Sequence, residues 1–172
     1  MSATTQEQTL SETGLAKAVG SRQLVSFRLD SEEYAMEITK IREIILMGAI
    51  THIPQTPDYV EGLINLRSTV IPVIDLRRRF GLPEAGLTSD SRIMVLSVSD
   101  REIGIIVDAV NEVLRVAEEQ IADPPSSVDG LGHEYLTGLV KLEDRLLILL
   151  DADRLFDQET MAIQSTTNMD LS

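Results

Sequence analysis

Few side chains in this 172-residue sequence are suited to nucleophilic, acid–base or metal chemistry. The chain has no cysteine and only two histidines. His52 and His133 lie in loop-like segments, and neither belongs to an H-x-H or H-E-x-x-H pattern, so we interpret both as solvent-facing loop residues. The sequence also lacks phosphate-cradling and nucleophile-elbow motifs. We therefore predict no enzymatic activity, no metal and no cofactor.

Two aspartates and two glycines occur at matching places in the two halves of the chain. Asp75 and Asp151 could form paired carboxylates for acid–base chemistry. However, each follows a strand-like run and opens a short helix, where an aspartate caps backbone N–H groups. Gly62 and Gly138 head matching strands, where glycine permits a tight turn or a close backbone approach. All four residues are therefore predicted to have structural roles.

A cluster of arginines contrasts with the acidic composition of the chain. The formal net charge is −13, yet Arg67 and the run Arg77–Arg79 fall within thirteen residues. The run lies on a short predicted helix, and we interpret its arginines mainly as solvated residues near a helix C-terminus. Arg67 follows a strand and precedes a predicted two-residue turn at Ser68-Thr69, which places it at the rim of the fold. Its guanidinium could make forked hydrogen bonds to carboxylates or carbonyls of a partner protein.

The elements that position these residues form an approximate internal duplication. Residues from 92 onward repeat the plan of residues from 23 onward with an offset of 69, and the later segments repeat with an offset of 76. Short alternating strands in two copies indicate two similar small β-barrels, with a seam in the polar connection at 82–90. Runs such as VIPVI and GIIV are apolar on consecutive residues. Both faces of those strands must be covered, so we expect the barrels to press on each other.

The ends of the chain differ in composition from its middle. Residues 1–20 and 164–172 are polar and are expected to be flexible tails on a folded domain of residues 21–163. The segment DADRLFDQETMAI, after the last strand, is predicted to form a capped C-terminal helix.

Charge and hydropathy bear on partners and location. A chain of pI about 4.5 repels phosphates, which disfavours nucleic acid and anionic membrane surfaces as partners. The apolar runs are far shorter than a membrane span, and no secretory signal is recognisable at the N-terminus. We therefore expect a cytoplasmic protein without direct membrane insertion.

Several segments together resemble the CheW-like domain family of bacterial chemotaxis coupling proteins. They are LVSFRLDSEEYAMEITKIREII, TPDYVEGLINLRSTVIPVIDLRRRF, GIIVDAVNEVL and EYLTGLVKLEDRLLILLDADRLF, and the resemblance spans roughly residues 20–163. It implies an all-β fold of two pseudo-symmetric SH3-like five-stranded barrels with short connecting helices and a C-terminal helix. It also implies an adaptor that couples the cytoplasmic hairpin tips of methyl-accepting chemoreceptors to the regulatory domain of the histidine kinase CheA, in membrane-associated arrays. A related adaptor role in another chemosensory pathway, such as pilus-based motility, is the alternative.

The resemblance also assigns candidate binding residues. The family's receptor surface corresponds here to Arg67, Ile41, Glu43, Val110 and Val113. The stretch after Glu43 and the region around Leu146 are candidates for the kinase contacts. One departure is Ser68, which stands where the family usually has glycine after the N-L-R motif. Serine adopts positive φ less readily than glycine, so the turn that aims Arg67 is the point at which this chain departs from the family pattern.

Overall fold

The fold of the protein is described by a computed structural model, which covers residues 20–124 and 135–156. It is an all-β fold with one short α-helix, α1 (Leu76–Arg79), and short 3₁₀ segments at Ile38–Lys40, Glu118–Gln120 and Ala152–Arg154. The strands are β1 Ser21–Leu29, β2 Glu32–Glu37, β3 Ile41–Leu46, β4 Val60–Leu66, β5 Thr69–Asp75, β6 Arg92–Val98, β7 Arg101–Val107, β8 Ala109–Ala117, β9 Ile121–Ala122, β10 Leu136–Lys141 and β11 Leu146–Leu150.

The strands form two SH3-like barrels with matching strand orders. Barrel 1 has the order β3-β6-β7-β5-β4, and barrel 2 has the order β8-β1-β2-β11-β10-β9. Barrel 2 therefore has a sixth strand, the two-residue β9, which pairs with Leu139 and Val140 of β10. Its counterpart in barrel 1 is an isolated bridge between Thr51 and Leu63. The duplication predicted from the sequence is thus confirmed strand by strand.

The predicted seam at 82–90 is wrong as a boundary between the barrels. The first hairpin, β1–β2, pairs with β8 and β11 from the second half of the chain. The hairpin β6–β7 pairs with β3 and β5 from the first half. The first hairpin of each repeat is therefore part of the barrel that is otherwise formed by the other repeat. The polar connection at 82–90 marks only where one repeat follows the next along the chain, because composition reports chain connectivity and not strand pairing.

Apolar residues fill three clusters. One lies inside barrel 2 and includes Leu24 and Leu147, and one lies inside barrel 1 and includes Ile71 and Val73. The largest cluster contains residues of both barrels, among them Phe27 and Leu96, and forms a shared core between them. In β5, residues 71–74 are all buried, as are residues 104–107 of β7. The prediction that these apolar runs are covered on both faces is confirmed, and it explains why the barrels pack together.

The predicted C-terminal helix is only partly within the described residues. The chain after β11 forms the 3₁₀ segment Ala152–Arg154, which Asp151 caps. Residues 157–163 and both predicted tails, apart from Gly20, lie outside the described residues.

A rim turn and its ion pair as the candidate binding site

The turn between β4 and β5 presents Arg67, and it differs from the predicted turn. Strand pairing continues to Leu66 and Thr69, so the two turn residues are Arg67 and Ser68, not Ser68 and Thr69. Their φ angles are 52° and 69°. Two positive φ angles in a two-residue loop are the mark of a type I′ hairpin, whose twist matches that of the flanking strands. Arg67 is therefore part of the turn itself.

Arg67 forms a forked ion pair with Glu43 of β3. Arg67 Nη1 donates to Glu43 Oε2 at 2.5 Å, and Nη2 donates to Oε1 at 2.7 Å. The hydrogen bonds from Arg67 lower the pKa of Glu43, and the charges of Arg67 and Arg42 lower it further. The same bonds raise the pKa of Arg67. The Arg67 side chain is 71% exposed and the Glu43 side chain 25% exposed. The pair thus holds the guanidinium in one orientation while most of it remains open to a partner.

The apolar residues assigned to the same surface occupy different places. Ile41 and Val110 are equivalent in the duplication, and both pack against the edge of the shared core. Val113 of β8 is 53% exposed, and its barrel 1 equivalent, Ile44, is 40% exposed. The structure therefore brings Arg67 and Glu43 together on barrel 1. Val110 and Val113 lie on β8, at the edge of barrel 2.

Sequence reasoning missed a second rim arginine. Arg145, in the β10–β11 turn, forms ion pairs with Glu112 of β8 and, at 3.6 Å, with Glu33 of β2. Glu112 is the equivalent of Glu43 at the offset of 69, so each barrel pairs a glutamate of its edge strand with an arginine of a hairpin turn. That glutamate correspondence, together with an arginine near each of the two turns, is the signal that could have identified Arg145.

The interpretation of Arg77–Arg79 as mainly solvated residues is wrong. Arg77 is 14% exposed and binds Asp108 through Nε and Nη2, at 3.0 and 2.8 Å. It also lies 3.4 Å from Asp30, and the Asp30 N–H donates to Asp108 at 2.7 Å. Burial raises the pKa of Asp108, but the hydrogen bonds from Arg77 and Asp30, with the charge of Arg77, outweigh it and lower the pKa. Because Arg77 follows β5 and Asp30 lies in the β1–β2 turn, this cluster joins barrel 1 to barrel 2.

The other two arginines of the run are also engaged. The Arg79 guanidinium carbon lies 4.8 Å from the ring centre of Tyr59 and 4.7 Å from that of Tyr135. These tyrosines are equivalent in the duplication, and Arg79 Nε also donates to the Leu155 carbonyl at 3.1 Å. Arg78 forms ion pairs with Glu61, Glu84 and Asp75. All three arginines of the run therefore contact other side chains or carbonyls of the protein.

The duplication places a second inter-barrel ion pair opposite the first. Asp153 is the equivalent of Arg77, and it accepts a hydrogen bond from Lys40 at 2.9 Å. Lys40 lies in the β2–β3 connection, next to the equivalent of Asp108. The charges are reversed, and the pair is more exposed, at 37% for Lys40 and 47% for Asp153.

The four predicted structural residues have the following surroundings. Asp75 Oδ1 accepts from the N–H groups of Arg77 and Arg78, and Asp151 Oδ1 accepts from that of Asp153. Gly62 has φ +153°, and a Cβ there would overlap the Thr51 carbonyl oxygen. At Gly138 a Cβ would meet Ile121 Cγ2 at 3.0 Å and the Ala122 carbonyl oxygen at 3.1 Å. Strand register shifts at both glycines.

Three further observations concern other kinds of site. Among residues 20–124 and 135–156, no group of three or more His, Cys, Asp or Glu side chains is arranged to hold a metal ion. His52 is exposed, and His133 lies outside the described residues. No helix within the described part of the chain is long and apolar enough to cross a membrane.

The fold and the rim site define a class of protein: a twin-barrel domain that displays a forked arginine on a rigid hairpin turn. The family model for the CheW-like domain matches residues 23–160, and the chain belongs to that family. The chemotaxis protein CheW of Klebsiella aerogenes is 38% identical over 149 residues, which cover 87% of this chain and 90% of the relative. The CheW of Treponema pallidum is 39% identical and covers 81% of this chain and 84% of the relative.

A solved structure supports the same assignment. The crystal structure of the scaffolding protein TtCheW from Thermoanaerobacter tengcongensis superposes with a TM-score of 0.75 at 37% identity. The match covers 81% of this chain and 94% of that chain.

Proposed function

We propose that this protein is a non-catalytic chemotaxis adaptor that couples methyl-accepting chemoreceptors to the regulatory domain of the histidine kinase CheA. Its place would be the cytoplasm, where receptor arrays recruit it. The observation that carries the proposal is the match to chemotaxis proteins named CheW over nearly the full length of both chains. The two matches cover 90% and 84% of those relatives.

The receptor contact is assigned to the surface that contains Arg67. A receptor tip is a helical hairpin, and such a helix docks through an apolar face with polar contacts that fix its orientation. The fork of Arg67, already oriented by Glu43, supplies the polar contact. Ile41, Val110 and Val113 are the apolar residues assigned to the same contact, and Val113 is half exposed.

The kinase contact is assigned to exposed aliphatic residues on both barrels. Ile44 and Leu46, which follow Glu43 on β3, are 40% and 69% exposed, and Leu146 on β11 is 51% exposed. Large aliphatic side chains in such positions are suited to a protein interface. They lie in the two stretches that the family resemblance marks for CheA.

A reconstitution experiment tests the adaptor function. A cytoplasmic hairpin fragment of a chemoreceptor from the same genome is immobilised and incubated with the purified protein and the CheA regulatory domain. We expect the protein to retain the CheA domain on the receptor. Arg67→Ala should weaken receptor binding about tenfold or more, because oriented interface arginines are common binding hot spots, while CheA binding stays unchanged.

The matched control is Arg145→Ala, which removes the rim arginine of barrel 2. It should leave receptor binding near the wild-type level. If wild-type protein bound neither partner, the adaptor proposal would be wrong. If the wild type bound both partners and Arg67→Ala also bound the receptor normally, the assignment of Arg67 would be wrong and the adaptor function would stand.

A further inference from the structure

The β4–β5 turn needs a support that its own two residues do not supply. Arg67 and Ser68 both have φ angles in the left-handed region, at 52° and 69°. Residues with a Cβ adopt this region much less readily than glycine does, because the Cβ approaches the carbonyl oxygen. Asparagine and glycine are the usual residues of type I′ turns, and this turn contains neither. A contact from outside the turn must therefore favour the observed conformation.

Asn65 provides that contact. The Ser68 N–H donates a hydrogen bond to Asn65 Oδ1 at 3.0 Å. Asn65 lies on β4 opposite Val70, two residues before the first turn residue, so its backbone is fixed by strand pairing. An asparagine side chain bonded to a backbone N–H three residues later is a local device that stabilises turns. The bond ties the second turn residue to the strand that enters the turn.

The orientation of Arg67 depends on the same bond. Arg67 is the first turn residue, so its φ angle decides the direction in which the side chain leaves the backbone. In the observed conformation that direction brings both terminal nitrogens to Glu43. Glu43 fixes the far end of the side chain, and the Asn65 bond fixes the backbone at its near end.

We infer that Asn65 is a positioning residue for receptor docking, which acts through the turn that carries Arg67. The inference rests on the proposed function, since it concerns the same surface. It also accounts for Ser68: with the turn held by Asn65, the chain tolerates serine at a position where φ is positive.

The experiment compares four variants in titrations with the receptor hairpin fragment. Asn65→Ala should weaken binding about threefold to tenfold, as expected for the loss of one hydrogen bond that orders the contact residue. Asn65→Asp keeps the acceptor oxygen and should bind close to wild type. Ser68→Gly, combined with Asn65→Ala, should restore binding, because glycine adopts positive φ without help. Glu119→Gln, at an exposed position of the 3₁₀ segment Glu118–Gln120 that is assigned to neither contact, is the control.

A second measurement follows the turn directly. Amide hydrogen exchange at residue 68 should be faster in Asn65→Ala than in wild type. Normal receptor binding by Asn65→Ala, with Arg67→Ala still defective, would overturn the inference and leave the proposed function intact. Weakened binding that Ser68→Gly fails to restore, with unchanged exchange at residue 68, would also overturn it, because Asn65 would then contact the receptor itself. Normal binding by Arg67→Ala would remove both the inference and the Arg67 assignment.

Discussion

Each barrel has an arginine–glutamate ion pair at its rim, and the two pairs differ in exposure. The glutamates, Glu43 and Glu112, are equivalent in the duplication, whereas the two arginines occupy different positions of their turns. In barrel 1, Arg67 has one carboxylate partner and is 71% exposed. In barrel 2, Arg145 has two carboxylate partners, Glu33 and Glu112, and is 35% exposed. The positive-φ residues of the described chain include Arg67 but none from 142–145. The barrel 1 turn thus extends its arginine toward solvent, whereas the barrel 2 turn folds its arginine onto neighbouring strands. The equivalent glutamates thus pair with arginines from different turn positions, and the geometry of each turn determines how far its arginine is exposed.

The contacts between the barrels show the same divergence. The Arg77–Asp108 pair is largely buried and is supported by Asp30, whereas the equivalent Lys40–Asp153 pair is more than a third exposed. Both join the end of one barrel to a connection that leads into the other. Because Arg offers a fork and Lys a single donor group, the first pair can be satisfied in a tighter space than the second.

The largest predicted difference between equivalent positions concerns the two glycines. Gly62→Ala should lower the free energy of unfolding by about 3 kcal/mol or more, since it combines positive-φ strain with an overlap onto backbone that cannot move aside. Gly138→Ala has neither strain nor overlap, only tight contacts, and should cost about 1 kcal/mol. Urea denaturation of both variants measures the difference. Equal losses would show that the register shifts, which both sites share, matter more than φ.

Local structure could be predicted from the sequence, whereas contacts between distant segments of the chain could not. Strand alternation, the capping positions of Asp75 and Asp151, and the duplication are local patterns, and each is visible in the residues. The exchange of hairpins between barrels is not, because alternation in β1 is the same whether it pairs with β8 or with β3. For the same reason the burial of Arg77 was missed: its partner Asp108 is brought to it by that exchange. The position of the β4–β5 turn was missed by one residue, because Ser-Thr resembles a turn while Arg-Ser does not.

The second prediction compares the two inter-barrel ion pairs. Asp108→Asn should destabilise the protein by about 1–3 kcal/mol at pH 7, as expected for the loss of partly buried, charge-assisted hydrogen bonds. Asp153→Asn should cost less than about 1 kcal/mol, because its pair is exposed and screened. Thermal and urea unfolding measure both. A larger loss in Asp153→Asn would contradict the assignment of Arg77–Asp108 as the main electrostatic link.

The pH dependence of these variants sharpens the same comparison. The folded pKa of Asp108 lies below its ordinary value of 3.8, so its stabilising contribution is complete above that pH and is lost as the pH falls through the folded pKa. The stability gap between wild type and Asp108→Asn should therefore shrink in acid. The Lys40 pKa is raised above 10.5, mainly by its hydrogen bond to Asp153, so the Lys40 contribution is lost only as the pH rises through its folded pKa. Strong base should therefore weaken the Lys40–Asp153 link, while the Arg77–Asp108 link, whose guanidinium stays charged, should persist.

The smallest predicted effect on stability best distinguishes an arginine that binds a partner from an arginine that stabilises the fold. Arg67→Ala should leave the unfolding midpoint nearly unchanged, because the Arg67 side chain is 71% exposed and a surface ion pair of this kind contributes little to stability. Arg145→Ala should lower stability by about 0.5–1 kcal/mol, because Glu33 and Glu112 would lose the cation that lies between them. Urea denaturation in low salt, repeated in high salt, checks both. High salt should reduce the difference in the free energy of unfolding between Arg145→Ala and wild type, because it screens the attraction between Arg145 and the two glutamates in the wild type.

Taken with receptor titrations, these two variants should give opposite patterns. Arg67→Ala should lose binding and keep stability, whereas Arg145→Ala should keep binding and lose some stability. An arginine that contributes to folding is constrained by its internal partners and cannot be reoriented for a ligand without a cost to the fold. An arginine that contributes little to folding can instead be held by Glu43 and the turn in the orientation that a partner requires. If Arg67→Ala proved the more destabilising of the two, the rim pair would be a structural brace, and the difference between the barrels would lie elsewhere.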